Sequence, residues 1–405
     1  MMRRRTLLTG LAAAAIAPTA PRLARAASPP PLRIGVLNDM SGVYADYQGI
    51  GSVIGAQLAV ADFGALPGGR AIEVLSGDHQ NKPDLGASIA RRWIDTEGVD
   101  MILDVPNSAV ALAVAEIVRE KNRVMIGSGA GTDALTGKAC TPTFVHWTYD
   151  TWEAGHALGR AVVAQGGRKW FFLTADYAFG HVLEDSMAEA VKAAGGTVLG
   201  QVRHPLGTAD FSQYLVQAQA SGADVLGLAN AGGDNTNTLK QAQEFGLSRT
   251  MRMAGPVVNI NAPQALGLAA MGGILMVTPF YWDRDEACRA FARRFQAKHP
   301  RRNMPNDMQA GCYSATLVYL ATIAAGGGKS DDGEAVVAAM KRRPVHDPLF
   351  GTTEIRTDGR ALHPVYLMQA KTPAESKGDW DFFKLLSTLP ADQAWRPQQD
   401  GGCKL

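Results

Sequence analysis

Residues 99–132 read VDMILDVPNSAVALAVAEIVREKNRVMIGSGAGT, and this stretch indicates the fold class. Its first part, Val99–Val105, is a short apolar run that predicts a buried strand. Ser108–Lys121 carries apolar residues at helical spacing, and Arg123–Ile126 is again short and strand-like. A strand, a helix and a second strand in this order predict a βαβ unit with parallel strands.

The same alternation continues on both sides of this unit. Towards the N-terminus, the predicted strands are Leu32–Leu37 and Ala71–Leu75, and the predicted helices are Gly51–Phe63 and Pro83–Glu97. Towards the C-terminus, strands and helices alternate at Trp170–Thr174, Phe179–Ala194, Thr197–Arg203, Phe211–Ala220, Val225–Leu228 and Thr236–Phe245. One sheet cannot easily hold so many units. The pattern therefore predicts an α/β fold with two lobes, each built on a doubly wound parallel sheet.

Two irregular aromatic stretches, Thr143–Thr151 and Val277–Asp283, follow the two blocks and predict neither a helix nor a clean buried strand. After the second stretch, helical spacing returns at Glu286–Lys298, Met308–Ala325 and Gly333–Lys341. A polar region with the turn signal Asp358-Gly359 then predicts a hairpin.

Residues 1–27 predict an export signal. Met1–Arg5 is basic, Leu7–Ala17 is apolar but too short to span a bilayer, and Ala24-Arg25-Ala26 fits a cleavage site near Ala26. Arg4-Arg5 beside a Leu-Leu pair is typical of the twin-arginine route, and an ordinary secretory signal is the alternative. Either route predicts that the mature protein works in the periplasm.

The composition excludes several classes of protein. Charged residues make up 19% of the chain, which argues against disorder and against a long coiled coil. Five of the 40 basic residues lie in the export signal, so 35 remain against 38 acidic residues, a net charge of −3. Such a body is a poor binder of nucleic acid, because phosphate binding needs a basic face. Beyond the N-terminus, no apolar run of about 18 residues predicts a membrane span.

An exported chain would hold its four cysteines in an oxidising compartment. No two of them are spaced as a CxxC pair, which argues against a zinc site. Four cysteines allow three pairings, and we expect Cys140 to pair with Cys403, because both lie in mobile, glycine-rich segments. Cys288 and Cys312 lie in helical patterns and are typical of small buried hydrophobes.

Several motifs in a fixed order make the chain resemble the periplasmic binding proteins of the branched-chain amino-acid type, which are receptors of ABC importers. They are the opening strand with Asp39-Met40-Ser41-Gly42, GDHQNKPD at 77–84, Pro106-Asn107-Ser108, IGSGAGT at 126–132, and ADYAFG at 175–180. The resemblance implies a type I periplasmic binding fold, in which three crossing segments form the hinge of a closing cleft. On this basis we expect residues 28–147 and 283–343 in the first lobe, 148–282 and 344–390 in the second, and 391–405 in a tail.

Loops that follow first-lobe strands would meet at one edge of the sheet, where open α/β sheets bind ligands. The resemblance implies that Ser108, Ala130 and Thr132 hold a ligand carboxylate, and Asn107 and Gly131 lie in the same two loops. From the residues alone, a simple helix cap is the alternative for Ser108. Tight packing of a βα turn is the alternative for the glycine run, which lacks the last glycine of a dinucleotide fingerprint.

The second lobe is expected to supply the closing wall. Tyr177 follows its first strand, where relatives place an aromatic side chain over the ligand, and Asn230 and Asp234 follow a later strand. Relatives that bind an α-amino group use a carboxylate in the next loop, but Pro256–Asn259 contains no acid. An ammonium would then need Asp234 as its counter-charge, because burying it unpaired is costly.

Aromatic residues form only 7% of the chain, yet they gather in the predicted cleft and hinge segments. The ones we expect against a ligand ring are Tyr44, Tyr47, Tyr149, Tyr177 and Phe280. Packing within the hinge is the alternative for Trp147, Phe280 and Trp282. Burying about 200 Å² of ligand ring is worth roughly 5 kcal/mol, and a micromolar complex needs about 8 kcal/mol. A ring and an anchored carboxylate could therefore suffice without an ammonium.

The predicted function is a periplasmic receptor that closes over a small carboxylate, either an aromatic acid or a branched-chain or aromatic amino acid. Its expected partner is an inner-membrane ABC permease. We expect a monomer without cofactor or metal, since His79 with Asp78 and Asp84 in one loop is too little for a metal site. His79 itself contacts either the ligand or its loop neighbours.

Two other functions stay open. The first is a periplasmic ligand sensor of the same fold with a signalling partner. The second is an exported amidase or esterase, although the sequence contains no Gly-x-Ser-x-Gly or His-Glu-x-x-His motif.

Overall fold

The computed structural model describes residues 29–405. The predicted export signal therefore lies outside the described residues. Within residues 29–405 the chain forms two large sheets and one small sheet. No helix in this part of the chain is both long and apolar enough to cross a membrane.

The first sheet has five parallel strands in the order β2-β1-β3-β4-β5. Its strands are β1 (Leu32–Asn38), β2 (Ile72–Asp78), β3 (Met101–Asp104), β4 (Val124–Gly127) and β5 (Phe144–His146). Ile34 of β1 pairs with Val74 on one side and with Met101 on the other.

Helices cover both faces of the first sheet. They are α1 (Gly49–Phe63), α2 (Pro83–Asp95) and α3 (Ser108–Glu120), together with the later helices α10 (Glu286–Lys298), α11 (Asp307–Ala325) and α12 (Gly333–Lys341). Side chains on the two faces of β1 pack against two different layers of helices. Ile34 packs in a core with α1 and α11, whereas Leu37 packs in a core with α2 and α3.

The second sheet has seven strands in the order β15-β14-β10-β9-β8-β6-β7. Its strands are β6 (Lys169–Ala175), β7 (Thr197–His204), β8 (Val225–Ala229), β9 (Arg252–Ala254), β10 (Leu275–Thr278), β14 (Val365–Ala370) and β15 (Phe383–Leu389). Strands β6 to β10 are parallel, and β14 and β15 are antiparallel additions at one edge. Sequence analysis did not predict these two additions.

Helices cover both faces of the second sheet as well. They are α4 (Thr151–Ala164), α5 (Ala178–Ala193), α6 (Ser212–Ala220), α7 (Gly232–Glu244), α8 (Asn261–Leu266) and α9 (Leu268–Met271). A short α13 (Ala391–Ala394) follows β15. Phe172 packs in a core with α4 and α5, and Phe171 in a core with α6 and α7. The predicted fold class, α/β with two doubly wound lobes, is confirmed.

The small sheet contains β11 (Val345–Asp347), β12 (Gly351–Ile355) and β13 (Ala361–Leu362), all antiparallel. Asp358-Gly359 lies between β12 and β13, which confirms the predicted hairpin. Ile355 and Ala361 pack in the core of the first sheet, although sequence analysis placed residues 344–390 in the second lobe. The exact lobe boundaries stay a prediction.

Two local details differ from the sequence analysis. Thr143–Thr151 contains strand β5, which pairs in the sheet with β4 alone. The strand is only 3 residues long, too short for its pattern to be recognised. Helix α7 begins at Gly232 and not at Thr236, because its first turn is built from glycine and polar residues.

The predicted disulfide is confirmed, since Cys140 and Cys403 are bonded with their Cα atoms 5.7 Å apart. It ties the C-terminus to the segment before β5. Cys288 and Cys312 are free and buried, as expected of small hydrophobes.

Candidate ligand-binding site

Two adjoining cavities lie between the lobes, where loops leave the carboxyl ends of the parallel strands. The tyrosine cavity has a volume of about 10 Å³ in this closed form and is lined by Tyr44, Tyr47, Gln48, Pro106, Gly129, Tyr149, Tyr177, Phe179, Ala231 and Met308. The Asp307 cavity has a volume of about 10 Å³ and is lined by Tyr149, Pro256, Val257, Val258, Asn259, Met276, Val277, Thr278, Asp307 and Met308. Tyr149 and Met308 line both cavities. This is the position where open α/β sheets bind ligands.

The β1–α1 loop carries the first two tyrosines, and Asp39 holds this loop in place. The Asp39 carboxylate accepts hydrogen bonds from the backbone N–H of Gly42 at 2.7 Å and of Tyr44 at 2.9 Å. It also accepts one from the Asn81 side chain at 2.6 Å, which joins this loop to the β2–α2 loop. The loop is therefore rigid where it presents Tyr44 and Tyr47.

Direct contacts between the lobes close the tyrosine cavity. The Tyr44 and Tyr177 hydroxyls form a hydrogen bond across it. The Tyr47 hydroxyl donates to the Val257 carbonyl at 3.2 Å, and the Gly233 N–H donates to the Val43 carbonyl at 2.8 Å. The lobes are thus closed on each other.

The tyrosine hydroxyls are neutral. Burial raises the pKa of Tyr44, Tyr47, Tyr149 and Tyr177 above the ordinary value of tyrosine. The Tyr47 and Tyr149 hydroxyls donate to the Val257 and Gly129 carbonyls, and the Tyr44 and Tyr177 hydroxyls share one hydrogen bond. One O–H of the Tyr44–Tyr177 pair therefore stays available to a ligand acceptor, within walls that are otherwise aromatic and apolar.

The glycine run after β4 forms the wall opposite Phe179. A Cβ atom on Gly131 would lie 2.7 Å from the Phe179 ring and 2.9 Å from the Tyr149 hydroxyl, so only glycine fits there in the closed form. The Ala130 carbonyl bonds the His146 ring at 2.6 Å, and the Thr132 hydroxyl accepts from the Ala134 N–H at 3.4 Å. None of Ala130, Gly131 and Thr132 is among the residues that line the cavities.

Asn107, and not Ser108, caps helix α3. The Asn107 side chain caps α3 by accepting from Ala109 N–H at 3.0 Å and Val110 N–H at 3.2 Å. The helix-cap interpretation of Ser108 is therefore wrong. The Ser108 hydroxyl is buried without a hydrogen-bond partner among residues 29–405, next to Pro106, which lines the tyrosine cavity.

Asn230 and Asp234 lie behind the cavity wall within the second lobe. The Asn230 side chain donates to the Thr238 hydroxyl at 3.2 Å and accepts from Asn235 at 3.1 Å. Asp234 accepts from the Gly207 N–H at 3.0 Å, and burial raises its pKa to about 6. Neither residue lines either cavity.

His79 and Phe280 also lie away from the cavities. Burial lowers the pKa of His79 to about 4, and its Nδ1 accepts from the Asn81 N–H at 3.0 Å, as a loop-packing residue would. Phe280 packs edge-to-face on Phe291 and also contacts Phe350 in the hinge. Of the predicted contacts, the structure therefore brings together Tyr44, Tyr47, Tyr149 and Tyr177.

Sequence analysis missed two residues that line the cleft, Asp307 and Met308. Met308 and Asp307 begin α11, more than 100 residues after the nearest predicted contact in the first lobe. Asp307 was excluded from the predicted helix, and no strand-end motif marks it. Burial raises the pKa of Asp307 to about 7. A carboxylate thus borders the cleft, in addition to the Asp234 that we considered as a counter-charge.

The described residues show no sign of a metal centre. Within residues 29–405, no group of three or more His, Cys, Asp or Glu side chains is placed to hold a metal ion.

Residues 31–379 match the family model described as periplasmic binding protein. A periplasmic binding protein from Burkholderia mallei is 47% identical and has a TM-score of 0.89, covering 93% of this chain and 99% of that one. A branched-chain amino acid ABC transporter periplasmic ligand-binding protein from Burkholderia xenovorans LB400 is 38% identical, with a TM-score of 0.81, covering 92% and 99%. The chain belongs to the periplasmic binding protein family, whose members are non-enzymatic solute receptors of ABC transporters in the periplasm.

A more distant likeness shows the fold alone. It is to an ABC transporter solute-binding protein from R. palustris in complex with benzoate, which is 23% identical with a TM-score of 0.82. The overlap covers 93% of this chain and 100% of that one.

Proposed function

We propose that this receptor captures a small carboxylate that carries a ring, and that it delivers this ligand to an ABC permease of the inner membrane. The observation that carries the proposal is the closed tyrosine cavity, with Tyr44, Tyr47, Tyr149 and Tyr177 around one space between the lobes. Flat aromatic walls favour a ring over a compact aliphatic side chain.

Free donors near the cavity support a carboxylate at one end of the ligand. The Ser108 hydroxyl has no partner among the described residues. The backbone N–H groups of Ala130 and Gly131 donate to no other group within residues 29–405. A carboxylate accepts several such bonds, and successive N–H groups in a glycine-rich turn form a concavity for anions.

Closure of the lobes would couple binding to recognition by the permease. The ligand contacts the first lobe in the open form, and closing adds Tyr177 and Phe179 from the second lobe. A ligand shifts the equilibrium towards the closed form only by its higher affinity for that form. The permease would then dock on the closed receptor.

Two classes of ligand are candidates for this site. The relative from Burkholderia xenovorans is described as a branched-chain amino acid receptor, and the more distant one from R. palustris binds benzoate. The tyrosine cavity favours the aromatic acid.

We also propose that the receptor is a monomer and is exported through its Arg4-Arg5 signal. An Arg4→Lys/Arg5→Lys variant that still reaches the periplasm would point to the ordinary secretory route.

A thermal-shift screen followed by calorimetry tests the ligand. The purified mature protein is screened with benzoate and its hydroxylated derivatives, leucine, phenylalanine and small amides. We expect aromatic carboxylates to raise the melting temperature, because ligands that bind the native state stabilise it by mass action. Benzamide is the matched control, since it keeps the ring and lacks the carboxylate. Equal shifts with benzamide and benzoate, or a shift with leucine alone, would contradict the proposal.

A further inference from the structure

We propose that the Asp307 cavity is a subsite for a hydroxyl group on the ligand's ring, with Asp307 as hydrogen-bond acceptor and Asn259 as donor. The inference rests on the proposed function, because it concerns the far end of the same ligand. It narrows the ligand class to phenolic carboxylates.

The Asp307 cavity is a mostly apolar space with few polar groups. Its apolar walls come from Pro256, Val257, Val258, Met276, Val277 and Met308. The Thr278 hydroxyl donates to the Phe280 carbonyl at 2.8 Å and is therefore already in use. The cavity shares Tyr149 with the tyrosine cavity, so one ligand can extend from one into the other. In the closed form the Asp307 cavity has a volume of about 10 Å³, which is room for roughly one water-sized group such as a hydroxyl.

Asn259 presents a donor without an acceptor. Its side chain is 5% exposed, and its Oδ1 accepts from the Asn261 N–H at 3.0 Å. This bond fixes the orientation of the amide. The Nδ2 group is buried and has no hydrogen-bond partner in the part of the chain that the structure describes. A buried unpaired donor is costly, so a ligand acceptor at this point would be strongly favoured.

Asp307 presents an acceptor without a cation. The backbone N–H groups at the start of α11 lower the pKa of its carboxyl group, but burial outweighs them. Burial raises its pKa to about 7, and no Lys or Arg side chain in residues 29–405 forms a salt bridge with it. A donor from the ligand would therefore stabilise the ionised form of this group.

A hydroxyl satisfies both groups at once, because it donates one hydrogen bond and accepts others. An ammonium donates to Asp307 but leaves the Asn259 Nδ2 without an acceptor. A methoxy group accepts from Asn259 but gives Asp307 no donor. A second carboxylate would meet Asp307 as a like charge. The pair therefore selects a hydroxyl among the common ring substituents.

Calorimetry with matched ligands tests this selection. The probes are 3-hydroxybenzoate, 4-hydroxybenzoate, 4-methoxybenzoate and benzoate, together with leucine and phenylalanine. We expect the better hydroxybenzoate to bind at least tenfold more tightly than benzoate and 4-methoxybenzoate.

Two isosteric variants should remove this preference. Asp307→Asn weakens the acceptor, and Asn259→Asp replaces the donor with a second acceptor while its Oδ1 can still bond Asn261. We expect each variant to lose at least fivefold of the ratio between hydroxybenzoate affinity and benzoate affinity. Asp332→Asn is the control, because Asp332 caps α12 and lines neither cavity.

The outcomes separate this inference from the proposed function. Tight binding of benzoates with no preference for the hydroxyl, or a preference that survives both variants, overturns the inference and leaves the proposed function standing. If leucine or phenylalanine binds and the Asp307→Asn variant abolishes that binding, Asp307 holds an ammonium group and the inference is wrong. If no carboxylate binds at all, both fail. Melting temperatures of the variants verify that each is folded.

Discussion

The tyrosine cavity and the Asp307 cavity adjoin, but they are built in different ways. The tyrosine cavity is walled mainly by strand-end loops of both lobes, and its hydroxyls bond to protein groups across the cleft. The Asp307 cavity is walled by second-lobe loops, Tyr149 and the first turn of α11, and its Asn259 amide donor is unpartnered in residues 29–405. On the proposed function, the tyrosine cavity would close on the ring, whereas the Asp307 cavity would discriminate between ring substituents.

The largest effect is expected from Tyr149, because it lines both cavities. Tyr149→Ala should weaken the best aromatic carboxylate by roughly 30- to 150-fold, as a lost ring contact costs on the order of 2–3 kcal/mol. Calorimetry measures the change. Tyr214→Ala is the control, since Tyr214 lines neither cavity. A loss below threefold for Tyr149→Ala would show that the ligand does not extend along this side chain.

A smaller effect is expected from Tyr177, which lines the tyrosine cavity alone. Tyr177→Ala should weaken binding by about tenfold, roughly 1.4 kcal/mol. Tyr177→Phe keeps the ring and removes the hydrogen bond to Tyr44, so its loss should be only a few-fold. The ratio between hydroxybenzoate and benzoate should be unaffected, because that ratio depends on the other cavity. An unchanged dissociation constant for Tyr177→Ala would remove this residue from the site.

Gly131→Ala tests whether the tyrosine cavity must close. The added methyl group would meet Phe179 of the other lobe, so it should disfavour the closed form and weaken all ligands by about three- to fivefold. Gly233→Ala is the matched control at another contact between the lobes, because its Cβ would lie 3.6 Å from the Val43 carbonyl, an ordinary distance. Small-angle scattering of both variants reports the degree of closure. Equal affinity of the two variants would argue against closure by this contact.

The smallest effect is expected from Glu153, a buried carboxyl group that interacts electrostatically with Asp307. Burial raises the pKa of Glu153, the charge of Asp150 raises it further, and Arg360 lowers it only in part. Neither carboxyl oxygen of Glu153 has a hydrogen-bond partner in the described chain. Since the folded-state pKa lies above the unfolded one, the free energy of unfolding falls as pH rises through the unfolded value of about 4.3.

Glu153→Gln should therefore raise the melting temperature at pH 7–8 by roughly 1–2 °C, the shift that about 1 kcal/mol produces in a chain of this length. The advantage should vanish near pH 4, where both states carry the neutral acid. Scanning calorimetry at the two pH values measures it. Glu189→Gln, at an exposed position, should give no shift at either pH. A gain that is equal at both pH values would mean that ionisation of Glu153 is not its cause.

Much of the fold could be predicted from the sequence because the decisive signals are local. The apolar runs at Val99–Val105 and Trp170–Thr174 and the helical spacing between them indicated parallel strands with covering helices. Strands β14 and β15 escaped detection, since antiparallel strands added to a sheet edge have no βαβ spacing. The pairing of Cys140 with Cys403 was predicted from the mobility of both segments, and the structure confirms it.

The four cavity tyrosines lie in loops that follow strands, or in the first crossing between the lobes, so sequence patterns were enough to suggest them. Phe280 lies in a similar aromatic stretch, yet it packs in the hinge, because its ring meets Phe291 and Phe350. Sequence alone thus determined the fold class, the two lobes and the aromatic character of the cleft, all of which depend on local spacing. Only the tertiary structure brought Asp307 and Asn259 to the same cavity, because residues 48 positions apart in the sequence meet only through long-range packing.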